Sequence, residues 1–207
     1  KLSLTTGFGQ LNASVFTDDT DPYGNVISYG VTGTDMYFAK GAYDFGFAKL
    51  GADYVKFQGD TNSTDHYVAG DELYGINLNI PVQKFNVFGE YWKNTNAADK
   101  YDTAWNAGLS YGKADWKKAG TWDLSVAYND VDYNVYFGGG TWHNDMLKNF
   151  TAGYLNAYNL TFWTAIANVT LQKNVQLHAE YAFAADAEGT NGVDPDDSWT
   201  VSLNYKF

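Results

Sequence analysis

Apolar and polar residues alternate with a period of two along most of this chain, most clearly at its C-terminal end. There Trp199, Val201, Leu203, Tyr205 and Phe207 interleave with Thr200, Ser202, Asn204 and Lys206. Successive side chains of an extended strand point to opposite faces, so this spacing gives one oily face and one wet face. The same period runs through Val175, Leu177, Ala179, Tyr181 and Phe183, and through Trp163, Ala165, Ala167, Val169 and Leu171. It returns in Trp122, Leu124, Val126 and Tyr128, in Tyr101, Trp105, Ala107, Leu109 and Tyr111, and in Tyr74, Ile76, Leu78 and Ile80. With a strand over 84–93 and three less regular runs near 3–16, 27–39 and 44–57, the pattern predicts ten strands.

The connections between these strands alternate in length. Short turns are expected at Lys40-Gly41-Ala42, 81–84, 113–120 and 172–174, and long loops at about 17–26, 58–72, 93–102, 129–159 and 184–198. Outer-membrane barrels have short periplasmic turns and long external loops, so both termini are expected on the periplasmic side. Most acids fall in the long set and most turn lysines in the short one. Loops are in any case solvated and rich in Asp and Asn.

Composition narrows the class. The 207 residues include 17 Tyr, 13 Phe, 7 Trp and 21 Gly but 3 Pro, which is aromatic, glycine-rich strand material. No run approaches the ~18 consecutive apolar residues of a membrane-spanning helix, which leaves strands as the means of crossing a bilayer. Cysteine is absent, removing disulfides, thiolate metal sites and Cys nucleophiles. The formal charge is −11, and every one of the 13 basic residues is Lys. That balance disfavours nucleic acid and anionic solutes as partners. The first residues lack the apolar core and small-residue cleavage site of a signal peptide, so an export signal is expected to have been removed.

A lipid-facing strand must satisfy its backbone laterally, because hydrocarbon offers no partner. Its outward side chains are then apolar at mid-depth and aromatic at the interfaces. Trp122 and Tyr128 bracket Leu124 and Val126 in this way. In a soluble sandwich the same stripe would face a core, and more Lys and Glu would be expected on the other face than the Ser, Thr, Asn and Gly found here. The expected fold is therefore all-β: a transmembrane antiparallel up-and-down β-barrel, one domain over residues 1–207. The chain supplies about ten strands, either as a whole barrel or as part of a larger one. Ten strands enclose a narrow interior, whereas open pores usually need about sixteen or more.

The alternating closing strand with its terminal Phe207 resembles the assembly signal of bacterial outer-membrane barrels. More widely, residues 120–207 resemble the end of the S-layer-homology-domain porins of the OmpM type. The likeness rests on the Gly120-Thr121-Trp122 strand entry, the Asn129-Asp130 exit, the loop with Phe137-Gly-Gly-Gly140, the Leu171-Gln-Lys-Asn-Val175 turn and the closing strand. It implies an N-terminal peptidoglycan-binding domain, a coiled-coil stalk, and a barrel of about sixteen strands assembled as homotrimers. The first domain, the stalk and some six of those strands are not expected within these 207 residues.

No catalytic chemistry is expected. His66, His143 and His178 fall in no metal-binding or triad spacing, and neither a nucleophile elbow nor a phosphate-binding loop is present. No cofactor or metal is implied. The rival enzyme reading is a rim protease built on the loop pairs Asp65-His66 and His143-Asp145. The function expected is a porin: a water-filled passive diffusion channel for small hydrophilic solutes and ions in the bacterial outer membrane, in contact with its lipid and lipopolysaccharide. The alternative is a structural or adhesive barrel that anchors the envelope or binds partners through its acidic external loops.

Pore-lining candidates are Glu90, Asp102, Asn106, Asp123, Glu180 and Asn204, whose carboxylates would give mild cation preference. The segment 131–159 carries too many aromatics for a solvated arm, so it is expected to fold across the mouth, with Asp130, Asp132 and Asp145 at the constriction. The rival is that it packs between protomers. Trp199, Val201, Leu203, Tyr205 and Phe207 are the membrane-facing and assembly-signal residues.

Overall fold

The computed structural model describes residues 1–11, 19–20, 26–27, 34–58, 72–97, 101–135, 157–189 and 194–207. The strands are β1 (Leu2–Leu11), β2 (Asp19–Thr20), β3 (Val26–Ile27), β4 (Thr34–Asp44), β5 (Lys49–Gln58) and β6 (Glu72–Val82). They continue with β7 (Phe85–Asn94), β8 (Thr103–Gly112), β9 (Trp122–Asp132), β10 (Ala157–Gln172), β11 (Val175–Gly189) and β12 (Ser198–Tyr205). The two-residue β2 and β3 pair with each other. The other ten form one sheet in the order β1-β4-β5-β6-β7-β8-β9-β10-β11-β12. Each pairs antiparallel with its neighbour, so the architecture is all-β and up-and-down. The sheet is not closed: β1 and β12 are its two edges. Among the described residues no helix is long and apolar enough to cross a membrane, which bears on helices alone.

Turn chemistry fixes the register. Gln83-Lys84 joins the facing pair Val82 and Phe85, and Lys173-Asn174 joins Gln172 and Val175. Gln83 and Asn174 take the positive φ that such tight reversals require, 58° and 65°. The turn expected at Lys40-Gly41-Ala42 lies elsewhere. Those residues sit inside β4, and the chain reverses after Asp44, which pairs with Lys49. Gly46 supplies φ 89° there, and its N–H donates to Asp44 Oδ1 at 2.8 Å. The lysine that looked like a turn residue faces Asp53 across the sheet instead.

The last long hairpin also extends further than alternation shows, because β10 and β11 run into segments expected to be loops. At Ala184 (φ 52°) a bulge inserts a residue into β11 and reverses its faces. Beyond it Ala187 is buried and Asp186 exposed, the opposite of the parity that precedes it.

The strands are tilted. Direct partners lead from Leu2 through Tyr43, Leu50, Leu78, Gly89, Ala107, Tyr128 and Trp163 to Phe183. Phe183 lies one step beyond Ala182, the partner of Ser198 at the start of β12. A line perpendicular to the strands thus begins at the turn end of β1 and leaves at the loop end of β12. The stagger is about one residue per ladder; with ~3.3 Å per residue and ~4.8 Å between strands, that is a tilt of about 35°, the lower end of the barrel range.

Among the described residues there is no single central core. Two clusters of buried apolar side chains lie at the loop end of the polar face. One is Ala157, Leu160, Phe162, Ala182 and Ala187, with Val131, Ala185 and Tyr133 against it. The other is Phe57 and Leu73, with Met36, Val55, Trp92 and Val135.

Candidate functional site: the polar face of the sheet

One face is apolar across all ten strands. Leu78, Val87, Leu109, Leu124 and Val201 on it are 42–54% exposed, far too open for a core. Aromatic rings bound the stripe. Tyr43, Phe85, Tyr111 and Trp122 lie towards the turns, and Tyr54, Tyr74, Trp105, Tyr128 and Trp163 towards the loops, many in ring contact. The polar tips of the loop-side rings find carboxylates just beyond the stripe. The Tyr54 and Tyr74 hydroxyls both donate to Glu72 Oε1 at 2.8 Å. Trp105 Nε1 donates to Asp130 Oδ2 at 3.2 Å, and the Tyr181 hydroxyl donates to Asp197.

The opposite face carries side-chain networks that cross from strand to strand. On β9, β10 and β11, Asn168 Nδ2 donates to Asp123 Oδ1 at 2.7 Å, and Asn168 Oδ1 lies 2.7 Å from His178 Nδ1. His178 Nε2 in turn stands 3.1 Å from Glu180 Oε1. On β4 to β8, Lys40 Nζ lies 3.4 Å from Asp53 Oδ1, Asn77 Nδ2 donates to Asp53 Oδ2 at 2.8 Å, and Asn106 Nδ2 donates to Glu90 Oε1 at 3.0 Å. Amides alternate with carboxylates and satisfy one another.

Glycines on this face seat the larger side chains of their direct partners. A methyl at Gly75 would lie 2.8 Å from three fused-ring carbons of Trp92, so the indole rests face-on against the strand. Asn77 covers Gly51, and the Phe88 ring tip covers Gly108, in the same way. The rings lie along the wall instead of projecting from it.

Among the pore-lining candidates, Glu90, Asn106, Asp123, Glu180 and Asn204 share this face, and the first four take part in its networks. Asn204 is bonded to Ser202, also on the face. Asp102 stands apart, before β8, where Lys93 Nζ donates to it at 2.6 Å. Asp130 and Asp132 continue the parity of the apolar stripe at the loop end of β9. Asn159 bonds to both, and Thr103 donates its N–H and hydroxyl to Asp132 Oδ2 at 2.9 Å. Asp145 lies outside the described residues, as do His66 and His143. Trp199, Val201, Leu203 and Tyr205 line the apolar face of β12, and Phe207 follows it, fully exposed.

The chain after β9 turns over the polar face. A 3-10 turn, Tyr133–Val135, sets Tyr133 against the Leu160–Phe162 cluster and Val135 against the Phe57–Leu73 cluster, four strands away. Asn94, 1% exposed, donates Nδ2 to the Asn134 carbonyl at 2.8 Å and locks the crossing.

Comparison with known proteins finds no family model that matches this chain and no curated protein significantly similar to it.

The networks formed by Lys40, Asp53, Asn77 and His178, and the seating of Trp92, were not apparent from the chain. Asn77 and His178 lie at polar positions of alternating strands, but which amide meets which carboxylate depends on register, and Lys40 and Asp53 fall in an expected turn and a less regular run.

Proposed function

We propose that this sheet is the wall of an outer-membrane barrel and that the protein is a porin, a passive diffusion channel for small hydrophilic solutes. The observation that carries the reading is the largely apolar face, with exposed apolar side chains on every strand and aromatic rings at its borders, set back to back with a hydrogen-bonded polar face. In water so large an exposed stripe would drive association; in a bilayer it is the required outer surface. The tilt of about 35° fits a closed barrel. The edges β1 and β12 run in opposite directions, so they can meet directly or across an even number of further strands, as the sixteen-stranded trimers of the S-layer-homology porins would require.

On this reading the polar face lines the passage, and Asp53, Glu90, Asp123 and Glu180 outweigh Lys40 there, giving mild cation preference. The Tyr133–Val135 crossing supports a constriction at the external mouth, with the long acidic loops outside and both termini periplasmic. Planar-bilayer recording of the detergent-purified protein tests this. Stable single-channel steps and a cation-selective reversal potential in a KCl gradient are expected. Absence of conductance, or a protein that stays monodisperse in buffer without detergent, overturns the proposal.

A further inference from the structure

The polar face holds a recess of about 470 Å³ whose lining includes Asp53, Asn77, Phe88, Glu90, Trp92 and Asn106. We propose that it is a binding subsite for a neutral saccharide, resting on the reading above for its access but not for its chemistry. Two features must coincide for a sugar to be held: a flat apolar platform for the C–H face of a pyranose ring, and planar polar groups at its rim for the hydroxyls. Trp92 provides the platform. It lies face-on over Gly75, and only the absence of a side chain there allows that posture.

The rim groups stand on adjacent strands. Asn77 faces Glu90, and Glu90 faces Asn106 in direct register. Each carboxylate already accepts one amide N–H, from Asn77 to Asp53 and from Asn106 to Glu90, which fixes its orientation. Each amide group keeps a carbonyl oxygen and a second N–H, and each carboxylate further lone pairs, so donors and acceptors alternate around the recess. A sugar hydroxyl both donates and accepts, and matches this alternation.

Charge argues against the other solutes. Lys40 offsets Asp53 at 3.4 Å, so the recess lacks the excess positive charge an anion needs. A small inorganic cation would meet the carboxylates but make no use of the ring.

Saturation-transfer NMR on the detergent-solubilised protein, with maltotriose as the probe and a polyethylene glycol of similar mass as control, tests the subsite without requiring conductance. Saturable transfer to maltotriose and none to the polymer is expected. Glu90→Gln removes a rim charge and Asn106→Leu a rim amide, and both leave the Phe57–Leu73 cluster untouched; each should weaken binding about tenfold, on the order of one hydrogen bond. Trp92→Ala should abolish the signal, and circular dichroism of that variant separates lost binding from lost fold. No transfer to maltotriose in the parent protein, or equal transfer in parent, Glu90→Gln and Asn106→Leu, overturns the subsite; a conducting channel that shows either result keeps the porin reading and loses this one.

Discussion

At the scale of single residues, glycine decides whether a side chain can lie along the wall. A Cβ at Gly108 would meet the Val126 carbonyl oxygen at 2.6 Å and the Phe88 ring at 2.5 Å, whereas one at Gly41 would meet nothing within 4 Å. Gly108→Ala should therefore cost about 1–3 kcal/mol as an overpacking defect, and Gly41→Ala should cost nothing measurable, in urea titrations of the detergent-folded protein. Ala184 is the reverse case. It holds φ 52° at the bulge without being glycine, while its N–H reaches Asp197 Oδ1 at 3.2 Å. Left-handed backbone costs an L-residue roughly 1–2 kcal/mol, and glycine's extra unfolded-state entropy takes back part of the relief. Ala184→Gly should accordingly raise stability by under about 1 kcal/mol in the same titrations; a loss would mean that the bulge is not strained.

At the scale of elements, the alternation of Trp199 to Phe207 or of Trp122 to Tyr128 located strands correctly because nothing in those runs competes with the period of two. It failed where local backbone chemistry intervened. Lys40-Gly41-Ala42 has turn-like composition, yet β4 continues through it because Asp44 and Gly46 offer a better reversal and Lys40 has a partner in Asp53. The loop end of β11 was hidden because the bulge shifts the parity that alternation relies on. Five of the six pore-lining candidates were legible as polar-face residues, whereas Asp102 was not, since its place depends on where β8 begins. The crossing of Tyr133–Val135 joins clusters from strands far apart in sequence, which no local pattern encodes. If this element narrows the mouth, placing a charge at Val135, among Phe57, Leu73 and Trp92, should detach it. Val135→Asp is then expected to raise single-channel conductance while leaving the mid-sheet networks intact; unchanged conductance would show that the crossing does not limit flow.

At the scale of the whole molecule, what matters is which side of the sheet meets water, and stability alone cannot distinguish the alternatives. A charge on the apolar stripe is unfavourable whether that stripe faces lipid or a protein core, so a destabilised Leu124→Arg would fit both. Access to the two phases does distinguish them. The chain has no cysteine, so single Leu124→Cys and Ser125→Cys variants carry a spin label at one site each, on neighbouring residues of β9 with opposite parity. In a bilayer-spanning barrel the label at 124 should relax with oxygen, which partitions into hydrocarbon, and the label at 125 with a water-soluble nickel complex. A sandwich would shield 124 from both reagents, because its stripe would be packed against a second layer. Leu124 is 44% exposed, with no second layer over it among the described residues, and this openness makes lipid the expected neighbour. Oxygen access at 124 together with nickel access at 125, measured on protein reconstituted in vesicles, is the expected result; shielding of 124 from both would place the stripe inside a protein core and remove the physical basis for a channel.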